Sequence, residues 1–325
     1  MMSCALERSR RPMIGVSALL GVVVAAVIVA STMAQQPPLD RQQSWNKVRD
    51  AMSKGLPKTA IQELKPIIAD AMRAKRYPEA IKAIGLTIAY EGMIEGGKAE
   101  EKVTRMRAEI AKAPPEMKPV MEAILANWFW QYYQQNRWRF LQRSRTESAP
   151  SEDFTTWDLP RLLREIDGQF AKALGHAEAL KKTPIASYDD LIDKGTVSDA
   201  HRPTLFDFVA FNALEFYASG EQASTGAEDT FEVTADSPAL SAAADFAAWE
   251  PTVAMGDESL KPRAIRLYQD LIRFHLNDAD RTALIDADLA RLVYCHSIAV
   301  GEEKDARYSA ALQRIAEAES KHPLS

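Results

Sequence analysis

Apolar residues recur every three to four positions along most of this chain, and prolines open or glycines close the runs that carry them. WNKVRDAMSKG predicts a helix ended by Gly55. LPKTAIQELKPIIADAMRAK starts with Pro57 and sets Ala60, Ile61, Leu64, Ile67, Ile68 and Ala71 on one face, with a kink expected at Pro66. RYPEAIKAIGLTIAYEG follows the same plan with Pro78, Ala80, Ile81, Ile84 and Ile88. Gly96 and Gly97 then separate it from KAEEKVTRMRAEIAKA. PKTAIQEL and YPEAIKAI each place Ala, Ile and a larger apolar residue together, as in tetratricopeptide-type hairpins, where small residues let helices approach. The 34-residue signature does not recur at a clean period, so the expectation is an irregular helical repeat.

Residues 128–140, WFWQYYQQNRWRF, hold seven rings in thirteen positions, in a chain that is 8% aromatic. On a helical wheel Met121, Leu125, Trp128 and Tyr132 form one row, with Phe129 and Tyr133 beside it. An apolar row begun by aliphatic residues and continued by rings predicts a core face. Trp130 falls off that face, and Trp138 and Phe140 are not explained by it. The polar stretch SRTESAPSEDFTTWDLP is expected to be an ordered excursion with Phe154 and Trp157 tucked back.

Further helices are expected over LPRLLREIDGQFAKALGHAEAL, ended by Thr183-Pro184, and over HRPTLFDFVAFNALEFYAS. In the latter, Leu205, Phe208, Val209, Asn212, Ala213 and Phe216 follow the helical period. From Gly220 to about Asp257 runs a segment rich in Ala, Ser, Asp and Thr, with one strand candidate, TFEVTA. Its length predicts a surface wrap or a separator between helical parts. Three helices close the chain: LKPRAIRLYQDLIRFHL, DRTALIDADLARLVYCHSIAV, with Asp278 or Asp280 as its cap, and EKDARYSAALQRIAEAES. β-branched alternation is nearly absent, and the fold class expected is all-α.

The first residues follow different rules. Arg8, Arg10, Arg11 and Pro12 precede an uncharged apolar run over 13–34 that ends in small residues. This reads as a secretory signal or, being long enough to span a bilayer, as an uncleaved anchor. Either places the body outside the cytoplasm, in the periplasm or cell envelope. The expected organisation is a leader (1–34), a QQPPLD linker (35–40), a helical repeat-like domain (41–219), the long excursion (220–257) and C-terminal hairpins (258–325). Cys4 precedes the apolar run and Cys295 stands alone in the body, so no disulfide is available within it.

Composition narrows the chemistry. The net charge of −5 argues against nucleic acid as the main partner. No phosphate loop, dinucleotide fingerprint or H-E-x-x-H occurs. The five histidines have no ligand spacing, although His275 and His296 could approach across neighbouring helices. Cys295 and His296 are adjacent on a helix, so they diverge by about 100° and do not form a nucleophile–base pair. NDADRTALIDADL lacks the Gly and the final Glu of a calcium loop, since Ala283 and Leu289 stand there. In NRWRFLQRSR, Arg137, Arg139, Arg143 and Arg145 interleave with Trp138 and Phe140. Their stems are expected to lie on the rings while their heads meet the acidic SEDF and TWD stretches.

GLPKTA, WFWQYYQQNRWRFLQR followed by TWDL, RPTLFDFVAFNALEFY, and LKPRAIRLYQDLIRFHL with ALIDADLARL occur in that order. Together they resemble the N-terminal helical extension of the large exported bacterial alpha-2-macroglobulin-like proteins, from about Trp45 onward. The resemblance implies a longer protein in which this module precedes macroglobulin β-sandwich domains, some carrying a Cys-x-Glu-Gln thioester that traps proteases. That motif is absent here, because His296, Ser297 and Ile298 follow Cys295. What it implies for this chain is a non-enzymatic scaffold, without cofactor or metal, whose partners are downstream macroglobulin-type domains or another envelope protein. The other readings are a stand-alone periplasmic module for peptides or envelope polymers, and an all-α hydrolase or lyase using helix-borne carboxylates, for which the sequence shows no compelling acid pair. Trp130, Arg137, Trp138 and Arg139, left over by the core assignment, are the candidate contact residues.

Overall fold

A computed structural model describes residues 40–142, 152–192, 195–221, 231–254 and 259–320. The apolar leader, most of the linker, Arg143, Arg145 and the start of TFEVTA lie outside the described residues. Among those described, the chain is all-α, with twelve helices and one pair of two-residue strands.

The first five helices follow one another through short turns: α1 (Arg41–Ser53), α2 (Pro57–Arg73), α3 (Tyr77–Ile94), α4 (Ala99–Lys112) and α5 (Lys118–Leu141). Each packs on the next. Apolar periodicity explains the buried faces: α2 buries Ala60, Leu64, Ile67 and Ala71, α3 buries Ala80, Ile81 and Ile84, and the two helices pack on each other. The small alanines keep the axes close, and the larger residues fill the space between.

The turns after α1 and α2 share one design. Leu56 N donates to Ala51 O at 2.9 Å and Gly55 N to Met52 O at 3.0 Å. Twenty positions on, Arg76 N donates to Ala71 O at 2.8 Å and Lys75 N to Met72 O at 3.2 Å. Both are Schellman closures, and the residue at the left-handed position is Gly55 (φ 67°) in one and Lys75 (φ 55°) in the other. α2 runs through Pro66 to Arg73 as one helix. Pro66 and Gln62, the residue whose carbonyl loses its amide partner, are both exposed, which leaves the vacated carbonyl open to solvent.

The second half is less regular. α6 (Leu159–Leu174) begins at Asp158, whose side chain accepts from Arg161 N at 3.0 Å. It stops at Gly175, and a separate short α7 (Ala177–Lys181) follows, where the sequence had suggested one continuous helix. α8 (Leu205–Tyr217) starts with a full capping box between Thr204 and Asp207. α9 (Ala243–Ala248), α10 (Lys261–His275), α11 (Thr282–Ile298) and α12 (Lys304–Ala318) complete the order. Strand β1 (Val233–Thr234) pairs in parallel with β2 (Ala299–Val300).

Part of the long segment, within residues 231–248, lies in the core. Phe231, Val233, Ala239, Leu240, Phe246 and Ala247 are buried, and α9 packs on α10. Side chains from α10 and α11 hold its backbone. Gln269 donates to Phe246 O (2.9 Å) and Trp249 O (2.6 Å), and Arg273 to Ala247 O (2.6 Å). Arg291, fully buried, donates to Ala239 O (2.8 Å) and Ser241 O (3.1 Å), pairs with Asp288, and sits 4.6 Å from the Phe246 ring centroid. Irregular backbone can be buried only if its carbonyls find donors, and these three side chains supply them. Residues 41 onward form one compact unit.

Candidate functional site

The aromatic helix α5 organises the core. Phe129 meets Phe154 edge-on (4.9 Å) and Trp157 in a stack (6.3 Å). Tyr132 also contacts Phe154 (4.9 Å), and Trp130 stacks on Tyr133 (5.5 Å) and meets Phe216 edge-on (5.3 Å). Phe154 and Trp157 fold back as expected, so most of the rings are core. Trp130 departs from the expectation: it is 4% exposed and belongs to the same cluster. A single-face wheel fails because α4, α6 and α8 all pack on α5, which is buried on more than one side. Trp130 is therefore unavailable as a surface contact.

At Asn136 the backbone leaves helical geometry (φ −120°, ψ 19°), while its side chain donates to Tyr132 O at 2.9 Å. Beyond this kink Phe140 returns to the core, whereas Trp138 is 64% and Leu141 45% exposed. Arg137 does not reach the SEDF or TWD carboxylates. Its Nε lies 3.0 Å from Glu221 of the segment after α8, and Glu221 also accepts from the Tyr133 hydroxyl at 2.5 Å. Burial first, then the Glu221 carboxylate, push the Tyr133 phenol above its ordinary value, so it stays a donor. Arg139 is exposed, with Asn136 Oδ1 at 3.5 Å. Trp138, Arg137 and Arg139 thus share the last turns of α5, with Arg137 held in place.

Two clefts lie elsewhere. The larger, about 670 Å³, runs between α1, α3, the α4–α5 turn and α7, and includes Arg41, Arg76, Glu79, His176 and Tyr188. Glu79 is nearly inaccessible and accepts from Arg76 Nε (2.7 Å), Trp45 Nε1 (2.8 Å) and Arg41 Nε (3.1 Å). Burial alone would raise its carboxyl, but these three donors outweigh it and hold it below its ordinary value. The second cleft, about 360 Å³, is a groove between α5 and α8 with Asn127, Trp128, Trp130 and Gln131 on one wall and Asn212 and Glu215 on the other. Asn127 Nδ2 bonds Asn212 Oδ1 across it at 3.1 Å.

The histidines are not brought to a common centre. His275 bonds Asp207 and Asp278, while His296 bonds Asp305 at 2.7 Å and stacks on Tyr308. Cys295 is buried, and burial pushes its thiol up to about 12, where it is no nucleophile at neutral pH. No group of three His, Cys, Asp or Glu side chains among the described residues is arranged to hold a metal ion. No described helix is long and apolar enough to cross a membrane.

Sequence reasoning missed Glu79, Glu221 and the Asn127–Asn212 pair. Asn212 carried a signal, a polar residue within an apolar row. Glu79 and Glu221 carried no local signal. Comparison with family models, curated proteins and solved structures finds no match.

Proposed function

We propose that this chain is a non-catalytic, exported helical scaffold that docks a neighbouring protein domain, in the manner of the N-terminal extension of bacterial alpha-2-macroglobulin-like proteins. The paired closures of α1 and α2, twenty positions apart, support reading the first helices as tetratricopeptide-like hairpins. The observation that carries the docking role is Trp138, a large ring exposed beyond the Asn136 kink, with Arg137 pinned beside it by Glu221. Exposed Trp and Arg on a rigid element are the side chains that dominate binding energy at interfaces. Pre-ordering of Arg137 lowers the entropy lost on docking.

The test is a photo-crosslinking side chain at position 138 in cells, followed by mass spectrometry. Crosslinks to a macroglobulin-type domain, with at least about tenfold weaker affinity for Trp138→Ala, support the proposal. Partner affinity unchanged in Trp138→Ala removes position 138 from it.

A second reading, a stand-alone module for peptides or envelope polymers, is favoured by the two clefts. The larger falls within the size range of small-molecule sites, about 300–1,000 Å³, and both mix apolar walls with a few polar groups.

A further inference from the structure

We propose that the groove between α5 and α8 binds a neutral saccharide, an inference that rests on the binding-module reading. The groove is chemically distinct from the larger cleft. Among the described residues no Lys, Arg or His lines it, and Glu215 is the one charged residue of its described lining. Phosphates, sulfates and carboxylates find no counter-charge there and meet a carboxylate instead.

Its polar groups are side-chain amides. Asn127 Nδ2 donates to Ala123 O (3.1 Å) and to Asn212 Oδ1 (3.1 Å), and Asn212 Nδ2 donates to Phe208 O (2.7 Å). Each carboxamide is therefore anchored to the backbone one turn earlier in its own helix, and its orientation is set before any ligand arrives. Gln131 and Gln134 extend the amide row along α5 and are exposed. A carboxamide offers donor and acceptor together, as a sugar hydroxyl does, so amides suit a ligand that presents hydroxyls in sequence.

The rings complete the fit. Trp128 is half-buried, and among the described residues no other ring pairs with it. Its indole suits the C–H face of a pyranose, whose hydroxyls then meet the amides. Trp130 also lines the groove, and its buried indole N–H has no hydrogen-bond partner.

A peptide strand fits less well. Extended peptides are usually recognised through main-chain hydrogen bonds from a sheet edge. The two long walls are helices, whose interior amides and carbonyls are spent internally, and the N–H groups of Leu191 and Ile192, which complete the lining, donate to Tyr188 O, so side chains do most of the recognising.

The experiment titrates the purified full chain with maltotriose, cellotriose and tri-N-acetylchitotriose, following tryptophan fluorescence and heat. An uncharged Ala–Gly tetrapeptide and a sulfated trisaccharide serve as comparison arms. Saturable binding of at least one neutral trisaccharide is expected, with Kd on the order of 1 mM or tighter. The double variant Gln131→Ala/Gln134→Ala, at exposed positions that leave Tm unchanged, weakens it about tenfold, as does Trp128→Ala. The sulfated sugar does not bind. No neutral saccharide binding up to about 10 mM, or binding indifferent to these variants, overturns the proposal. Binding of the tetrapeptide alone overturns it too, while leaving the binding-module reading standing.

Discussion

Asp207 and His275 lie 68 positions apart in the chain and share a 2.7 Å hydrogen bond within the core. Asp207 is also the N3 residue of the α8 capping box, where its other oxygen accepts from Thr204 N (2.9 Å) and Thr204 Oγ1 (2.7 Å). His275 sits at the last turn of α10, and its second nitrogen lies 2.7 Å from Asp278. The start of one helix is thereby tied to the end of another through a single imidazole, which the C-terminal dipole of α10 also favours as a cation. Burial pulls the His275 pKa down, but the bonds and charges of Asp207 and Asp278 outweigh it, and the net direction is up.

The pH dependence follows from that direction. The folded chain holds the imidazole proton more tightly than the unfolded chain, whose histidine titrates near about 6.5. The stabilisation is complete below that value and is lost as pH rises through the higher folded pKa. His275→Gln is expected to cost about 3 kcal/mol at pH 6, because it leaves Asp207 buried without its cation. Denaturant unfolding at pH 6 and pH 9 should show the gap between wild type and variant narrowing at the alkaline end. A gap that is constant with pH would mean His275 acts through packing alone.

Arg291 makes a different prediction, about place. Its guanidinium holds the carbonyls of Ala239 and Ser241, so Arg291→Leu strips donors from buried backbone and leaves Asp288 unpaired. A loss of about 3–5 kcal/mol is expected. Hydrogen exchange should rise first across residues 231–248, while amides of α2 and α3 stay protected. Uniform loss of protection would contradict the clamp.

These two residues show where legibility ended. Apolar period identified the main helices and their buried faces, because burial of one stripe is a local consequence of composition. The burial within residues 231–248 was not legible because it depends on Gln269, Arg273 and Arg291, which lie 20 to 52 positions away from the carbonyls they cap. Nothing local in ALSAAADFAAW announces those donors. Trp130 was misplaced for a related reason: a wheel assumes one buried face, and α5 has neighbours on several sides. In the candidate groove, Asn212 was visible as a polar member of an apolar row, whereas its pairing with Asn127 needed the crossing of two helices.

Glu122 on α5 is buried, and its Oε2 has no hydrogen-bond partner. Burial raises its carboxyl, with His176, Lys172 and Lys118 opposing only in part. A carboxyl raised on folding binds its proton more tightly in the native state, so it favours folding at low pH and costs stability as pH rises through the folded pKa. Glu122→Met should therefore stabilise by about 1–2 kcal/mol at pH 7, and this gain should shrink toward pH 4. Thermal unfolding of both proteins across that range is the check. A Tm gain larger at pH 4 than at pH 7 would reverse the assignment.

The two Schellman closures form an internal control, since the same backbone position is glycine in one and lysine in the other. Gly55 has φ 67° with no atom within contact of an added Cβ, so Gly55→Ala meets backbone strain and no clash. That strain costs about 1–2 kcal/mol. Lys75 already bears it at φ 55°, so Lys75→Gly should recover roughly 0.5–1 kcal/mol after the added chain entropy is subtracted. Equilibrium unfolding of both variants should thus give shifts of opposite sign. Shifts of the same sign would mean that the turns after α1 and α2 differ in strain despite their shared hydrogen bonds, and would weaken the hairpin-repeat reading built on them.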